Sequence, residues 1–141
     1  MVVRVVVAVA ILAIAAGIAW WLEHRRVAAP PSQGRAVAPE QLDRNDFPRP
    51  DAPWLVVLFT SRHCDSCAGL VDKALPLASD DVAVFEVEYT LQPELHARYR
   101  IDAAPITVLV DHDGVTRAAF IGAYSAPELW SALADLRATP S

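Results

Sequence analysis

The sequence predicts an α/β fold, in which a mixed sheet flanked by helices follows one N-terminal transmembrane helix. Three observations predict it. Apolar runs of strand length alternate with helical patterns in the order β-α-β-α-β-β-α. A tight turn joins the last two strands and makes them antiparallel, whereas strands joined by helices are expected to run parallel. Ahead of this domain, 18 consecutive residues carry no charge.

The uncharged run covers residues 5–22, and a helix of that length nearly crosses a hydrocarbon core of about 30 Å. Trp20 and Trp21 occupy the place of an interfacial aromatic belt, and the charged residues 23–26 end the run. A cleaved signal peptide is the alternative, but it has a shorter apolar region and a nearby small-residue cleavage site. Residues 36–38 could imitate that site, yet they lie far from the run. We expect residues 1–26 to form an uncleaved anchor.

Positive charges flank this anchor on both sides. Arg4 and the amino terminus precede it, whereas Arg25 and Arg26 follow it, with Arg35 further along the chain. The positive-inside rule therefore favours a single-pass protein of the cell membrane whose soluble domain is on the cytoplasmic side, by a margin of one or two charges.

Composition separates a linker from a folded domain. Residues 27–38 are rich in proline and alanine and predict a linker, so that the domain covers residues 39–141. The net charge is −5, and 16 acidic residues face 8 basic ones from residue 36 onward. Binding to nucleic acid needs clustered positive charge, so this balance argues against nucleic acid as a partner.

The first half of the domain predicts a strand, a helix and a second strand. Residues 55–60 are continuously apolar, which is typical of a strand buried on both faces. Residues 64–78 have apolar positions at helical spacing, and Pro76 should kink or end that helix. Residues 82–89 read as the second strand, and residues 39–43, ahead of all three, are expected to open a short helix.

The second half predicts a short helix, a hairpin and a final helix. The short helix covers residues 93–99, and the two hairpin strands cover residues 106–110 and 115–121. Gly114 can supply the positive φ that the hairpin turn needs. Ser125 and Glu128 have the spacing of a capping box that opens the last helix.

The only two cysteines, Cys64 and Cys67, form a C-x-x-C at the junction between the first strand and the following helix. This placement is more often a redox device than anything else. A helix that begins near Cys64 would place both sulfurs on its first turn, close enough to bond. The free N–H groups of that turn would also favour the thiolate of the first cysteine.

Other functions of this pair are possible. A purely structural disulfide here would close a very small loop and stabilise little by chain entropy. Zinc prefers four ligands and the chain has no second C-x-x-C, but a copper or zinc carrier that uses Cys64, Cys67 and His63 is the alternative function. A redox-inactive adaptor is a third reading, and the intact cysteine pair argues against it.

Three stretches together carry a family resemblance, at residues 59–67, 101–107 and 120–125. The first contains the C-x-x-C, the second contains a proline directly before a strand, and the third contains a glycine at the end of the last strand. In combination they resemble the thioredoxin superfamily over about residues 39–137. The resemblance implies a thioredoxin-like fold and a thiol–disulfide oxidoreductase that acts on protein thiols or disulfides, with no cofactor other than the Cys64–Cys67 pair.

The resemblance also implies roles for individual residues. Cys64 would attack a partner's disulfide, and Cys67 would resolve the mixed disulfide. The bond between Ala104 and Pro105 would be cis, a minority state for a proline peptide. That loop and His63 would contact the partner.

Several positions depart from the usual thioredoxin pattern. His63 replaces a tryptophan, and Asp65-Ser66 replaces Gly-Pro between the cysteines. The carboxylate that lies buried below the cysteines in thioredoxins would fall at Leu58, where there is none. Glu86, on the neighbouring strand, is therefore the candidate proton acceptor for Cys67.

Overall fold

The computed structural model describes residues 1–25 and 36–139, which belong to two units, Met1–Pro30 and Pro31–Ser141. The first unit contains one helix, α1 (Val2–Arg25), of 24 residues. Several of its apolar side chains are exposed, among them Val9 and Leu12. In the described part of the chain, no helix has both the length and the apolar character that crossing a membrane requires, so the predicted anchor is not confirmed.

Two other predictions concern parts of the chain that the structure does not describe. The side chains of Trp20 and Trp21, predicted to lie at a membrane interface, are outside the described set. Most of the predicted linker, up to residue 35, is also outside it, and residues 36–38 have no regular secondary structure.

The second unit is built on a four-stranded mixed sheet with the spatial order β2-β1-β3-β4. Its strands are β1 (Trp54–Thr60), β2 (Val82–Glu88), β3 (Ile106–Val110) and β4 (Thr116–Ile121). Its helices are α2 (Leu70–Ala74), α3 (Pro93–Arg98) and α4 (Ala126–Ala138). The predicted succession of strands and helices is therefore confirmed, and the last helix begins with the predicted capping box of Ser125 and Glu128.

The strand directions correct one part of the prediction. β1 and β2, which are joined through α2, pair in parallel as expected, and β3 and β4 form the antiparallel hairpin. β3 follows a helix too, yet it lies beside β1 and runs antiparallel to it. The short connection through α3 does not return the chain to the starting end of the sheet, so β3 enters from the end at which β1 and β2 finish.

The core lies on both faces of this sheet because β1 is buried along almost its whole length. Leu55, Val57 and Phe59 point into a cluster shared with α3 and with the segment that precedes β1. Val56 and Leu58 alternate with them and point toward α2 and α4. Burial on two sides explains the continuous apolar run that identified this strand from the sequence.

The helix predicted over residues 64–78 is wrong in its continuity. A 3-10 turn covers Asp65–Cys67, α2 occupies only Leu70–Ala74, and a second 3-10 turn follows at Leu75–Leu77. Gly69 has φ 72°, a left-handed conformation that interrupts a right-handed helix, and Pro76 shapes the last turn.

The short helix predicted at residues 39–43 is also wrong. Gln41 instead bridges Val115 in the hairpin, and the backbone N–H of Thr116 donates to the carbonyl of Glu40. The first turn of this domain is the 3-10 turn Arg44–Asp46. Hydrogen bonds between this segment and the hairpin therefore prevail over its local helical preference.

Candidate active site

The cysteine pair lies at the end of the sheet where β1 and β2 finish. Thr60 is the last residue of β1, and a turn in which the Cys64 N–H donates to the Ser61 carbonyl leads to the pair. Cys64 and Cys67 are joined by a disulfide bond, with their Cα atoms 5.4 Å apart. The two sulfurs that the sequence placed within reach of each other are thus bonded.

The two cysteines differ in exposure. Cys64 is half-buried, whereas Cys67 is 9% exposed and belongs to the core. An attacking thiolate must be accessible, and a resolving one need only reach its neighbour, so the difference fits Cys64 for attack and Cys67 for resolution.

The surroundings of Cys64 differ from the prediction in one respect. α2 begins after Gly69, two residues beyond Cys67, so the first turn of an α-helix does not carry the cysteines. The hydroxyl of Ser66 instead lies 3.4 Å from Cys64 Sγ, where it can donate to a thiolate. A hydrogen bond to the charged form favours ionisation, and the hydroxyl therefore replaces part of the expected effect of a helix terminus.

The loop before β3 faces the cysteine pair. The bond between Ala104 and Pro105 is cis, as predicted. The carbonyl oxygen of Ala104 lies 3.4 Å from Cys64 Sγ, and Pro105 is buried. The backbone N–H of Gly122, at the end of β4, donates to the Pro105 carbonyl and ties this loop to the hairpin. The binding roles of Ala104 and Pro105 toward a partner stay predictions.

His63 lies next to Cys64 and is exposed, with its backbone N–H near the Ser61 hydroxyl. Its side chain is free to meet an approaching partner, but nothing in the described contacts assigns it that role, and it stays a prediction.

A cleft of about 310 Å³ opens beside the disulfide on the side of β2. Both cysteines line it, and so do Thr60, Ser61, Arg62, Ala68, Glu86 and Glu88. Glu86 pairs in register with Leu58, and its carboxylate accepts a hydrogen bond of 2.6 Å from the hydroxyl of buried Thr60. The structure thus brings Glu86 and Cys67 to the walls of one cleft.

A second carboxylate, that of Glu88, binds the turn that leads to Cys64. It accepts hydrogen bonds from the backbone N–H groups of Arg62 and Thr90, each of 2.9 Å, and lies 3.8 Å from the Arg62 guanidinium. Partial burial raises the pKa of Glu88, but the hydrogen bonds from Thr90 and Arg62 outweigh it and hold the pKa below its usual range. Glu88 therefore carries its charge at neutral pH.

Sequence reasoning missed Glu88 and the Ser66 hydroxyl. Glu88 is two residues after Glu86 on the same strand, which was a usable signal because alternate residues share one face. Its partner Arg62 is 26 positions away. Only the parallel register of β1 and β2 brings those two together.

Metal binding finds no support in the described residues. Among residues 1–25 and 36–139, no three His, Cys, Asp or Glu side chains converge on a point suited to a metal ion. His63 adjoins the cysteines in sequence without completing such a group.

Of the comparisons with known proteins, the one with solved structures identifies similar folds. No protein-family model matches the chain, and no curated protein matches it. Several solved structures do match the chain. Thioredoxin of Fasciola hepatica is 25% identical, with a TM-score of 0.52, over 61% of this chain and 83% of its own.

Two further structures match with the same TM-score of 0.52 at 15% identity. One is thioredoxin-2, described as a component of the malaria parasite protein secretion machinery, over 59% of this chain and 82% of its own. The other is described as a malarial protein, over 59% of this chain and 96% of its own.

These structural matches agree with the four-stranded mixed sheet and with a disulfide-bonded C-x-x-C after β1 that faces a cis proline. The chain is a thioredoxin-like protein.

Proposed function

We propose that this protein is a membrane-anchored thiol–disulfide oxidoreductase that exchanges disulfides with protein partners through Cys64 and Cys67. One observation carries the proposal. A half-buried cysteine, bonded to a buried one, lies 3.4 Å from the carbonyl of half-buried Ala104, directly before the cis proline. In this arrangement the sulfur of Cys64 can contact a substrate while the sulfur of Cys67 stays within bonding distance of it.

The exchange proceeds in two steps. In the dithiol form, the Cys64 thiolate attacks one sulfur of a partner's disulfide, the partner's S–S bond breaks, and its other sulfur leaves as a thiolate. The Cys67 thiolate then attacks Cys64, which forms the intramolecular disulfide and releases the partner's second thiolate. Two electrons pass to the partner, and the reverse sequence oxidises a partner dithiol. The disulfide itself is the redox group, and no other cofactor takes part in this proposal.

Glu86 is proposed to accept the proton of Cys67 during the second step. Cys67 is buried, and burial in apolar surroundings disfavours a thiolate, so a nearby base would assist it. Glu86 and Cys67 line the same cleft, and Thr60 holds the carboxylate of Glu86 in place. A water molecule in that cleft could relay the proton.

We also propose that residues 5–22 anchor the protein in the cell membrane with the domain on the cytoplasmic side. The support is the uncharged run and the charges of Arg25 and Arg26 that follow it. Fusions of a cytoplasm-dependent and an export-dependent reporter to the C-terminus test both points. Activity of the export-dependent fusion alone would contradict the cytoplasmic side, and recovery in the soluble fraction after lysis would contradict the anchor.

The exchange activity is tested with a pair of cysteine variants. The wild-type protein should catalyse reduction of insulin by dithiothreitol, and Cys64→Ser should abolish catalysis. Cys67→Ser keeps the attacking sulfur but cannot resolve the intermediate, so it should accumulate mixed disulfides with partners that dithiothreitol releases. Wild-type protein that does not speed insulin reduction, or equal trapping by both variants, would overturn the proposed function.

A further inference from the structure

The turn that delivers Cys64 is held by a side chain on another strand. Residues 61–63 connect β1 to the cysteine pair and contain no regular secondary structure of their own. Glu88, the last residue of β2, is 15% exposed in its side chain and lies beside Thr60 in the parallel register. Its carboxylate points at the backbone of this turn.

The two oxygens of that carboxylate serve two different segments. Oε1 accepts the backbone N–H of Arg62 at 2.9 Å. Oε2 accepts the backbone N–H groups of Thr90 at 2.9 Å and Leu91 at 3.1 Å, as well as the hydroxyl of Thr90. One carboxylate therefore joins the turn before Cys64 to the turn after β2.

This link acts where the position of Cys64 is decided. Cys64 is two residues after Arg62, and its sulfur lies 3.4 Å from the carbonyl of Ala104 on the opposite side of the site. A peptide substrate would have to contact the Ala104 loop while its disulfide meets Cys64. Small displacements between reacting groups cost much of the rate in such geometries.

We infer that Glu88 is a positioning residue for disulfide exchange: its carboxylate fixes the backbone of the Arg62 turn and thereby sets Cys64 Sγ at its distance from the Ala104 loop. The inference rests on the proposed function and assigns the residue no contact with the substrate. It predicts that Glu88 matters for protein disulfides, which use both sides of the site, and hardly at all for small disulfides, which need only an accessible thiolate.

Glu88→Gln tests this with little change in shape. A carboxamide has one acceptor oxygen and one donor NH₂. In one orientation of the carboxamide, its NH₂ group faces the backbone N–H of Arg62, and in the other it faces the N–H groups of Thr90 and Leu91. Two donors cannot form a hydrogen bond with each other, so one of the two segments loses its link to residue 88. Glu94→Gln is the matched control, because it removes the same charge at an exposed position in the first turn of α3.

The measurements compare two substrates and one equilibrium. For Glu88→Gln, kcat/KM for insulin should fall about tenfold while the rate with a small aromatic disulfide stays within about twofold. The equilibrium of the Cys64–Cys67 disulfide with glutathione should shift toward the dithiol by about threefold, because a loosened turn closes the ring less readily. Glu94→Gln should match the wild type in all three.

Equal losses with both substrates, or no loss with insulin, would overturn the inference. If the wild type itself reduces neither substrate, the proposed function fails. The glutathione equilibrium alone then decides on Glu88, and an unshifted equilibrium in Glu88→Gln would refute its role.

If Glu88→Gln does not fold, Thr90→Val, which removes one donor to Oε2, takes its place. It should lower insulin turnover selectively by a smaller factor, and a wild-type ratio between the substrates would refute the inference.

Discussion

At the scale of single residues, a few polar contacts surround the two sulfurs of the site. The Ser66 hydroxyl lies 3.4 Å from Cys64 Sγ, and the Thr60 hydroxyl holds Glu86 at 2.6 Å. Thr60 is buried, so its hydroxyl needs a partner, and the carboxylate of Glu86 supplies one. The same contact fixes Glu86 at the edge of the cleft that Cys67 lines.

Glu86→Gln should therefore slow the resolving step. The amide that replaces the carboxylate can still accept a hydrogen bond from the Thr60 hydroxyl but cannot take a proton from Cys67. Loss of this general base should slow the resolving step by about 100-fold. Release of partner from a preformed mixed disulfide, followed by stopped-flow, measures this step separately from attack by Cys64. Unchanged release kinetics would remove Glu86 from the mechanism, and Glu94→Gln serves again as the control for charge.

At the scale of secondary-structure elements, the ends of the strands decide where the chemistry occurs. β1 and β2 finish at the same end of the sheet because they are parallel, and β3 begins there because it is antiparallel to β1. The turn after β1, the turn after β2 and the loop before β3 therefore meet at one place. The hairpin contributes indirectly, since Gly122 at its end supports the Pro105 carbonyl.

A substitution in the hairpin turn tests how much the close packing of Gly114 against the backbone of Leu42 contributes to stability. Gly114 has φ 83°, and a Cβ there would lie 2.0 Å from the Leu42 carbonyl oxygen. Gly114→Ala should lower the free energy of unfolding by about 3 kcal/mol or more, because left-handed strain of about 1–2 kcal/mol adds to an overlap with backbone.

Gly69→Ala is the matched control for this prediction. Gly69 has φ 72°, but a Cβ there would meet nothing within 4 Å. It should cost only the left-handed strain of about 1–2 kcal/mol. Denaturant titrations of both variants measure the difference, and equal losses of stability would show that the contact with Leu42 does not matter.

At the scale of the whole domain, two cores on opposite faces of one sheet carry the stability, and one of them contains a histidine. His96 is 3% exposed, its ring lies against Phe59 and Tyr89, and its Nε2 is 2.9 Å from the carbonyl oxygen of Val87. Burial lowers the pKa of His96, and the contacts with the Val87 carbonyl and Glu88 offset this only in part. The folded domain therefore holds His96 neutral at pH values where the unfolded chain protonates it.

The domain should lose stability as pH falls below about 6.5, the ordinary value for histidine. The pKa of His96 is lower in the folded domain than in the unfolded chain. Its contribution to the free energy of unfolding is therefore complete above the unfolded pKa and is lost as the pH falls toward the folded pKa. The slope is at most about 1.4 kcal/mol per pH unit. The depressed carboxyl pKa values of Glu88 and Asp111 act in the same direction but only below about pH 4.5.

Unfolding free energies between pH 7 and 5 test this prediction. His96→Gln keeps a donor for the Val87 carbonyl but does not titrate, so it should flatten the slope while lowering stability at pH 7. His112→Gln, at an exposed position, is the control and should retain the slope. A wild-type slope in His96→Gln would assign the pH dependence to other groups.

The amino-acid sequence by itself determined the order of the elements and the cysteine pair, whereas the resemblance to the thioredoxin superfamily implied the cis proline. The sequence predicts strand β1 because burial on both faces requires an unbroken apolar run. Ser125 and Glu128 predict the start of α4 because a capping box is a local hydrogen-bonding pattern. Local chemistry of this kind is visible without any knowledge of the rest of the fold.

Only the tertiary structure decided what surrounds Cys64. The interruption at Gly69 depends on a left-handed conformation that glycine permits but does not require, so the helix was predicted too long. The link from Glu88 to Arg62 depends on strand register, and the contact of Cys64 with Ala104 joins positions 40 residues apart. Contacts of this kind arise from how strands align and pack, and no local sequence pattern encodes that alignment.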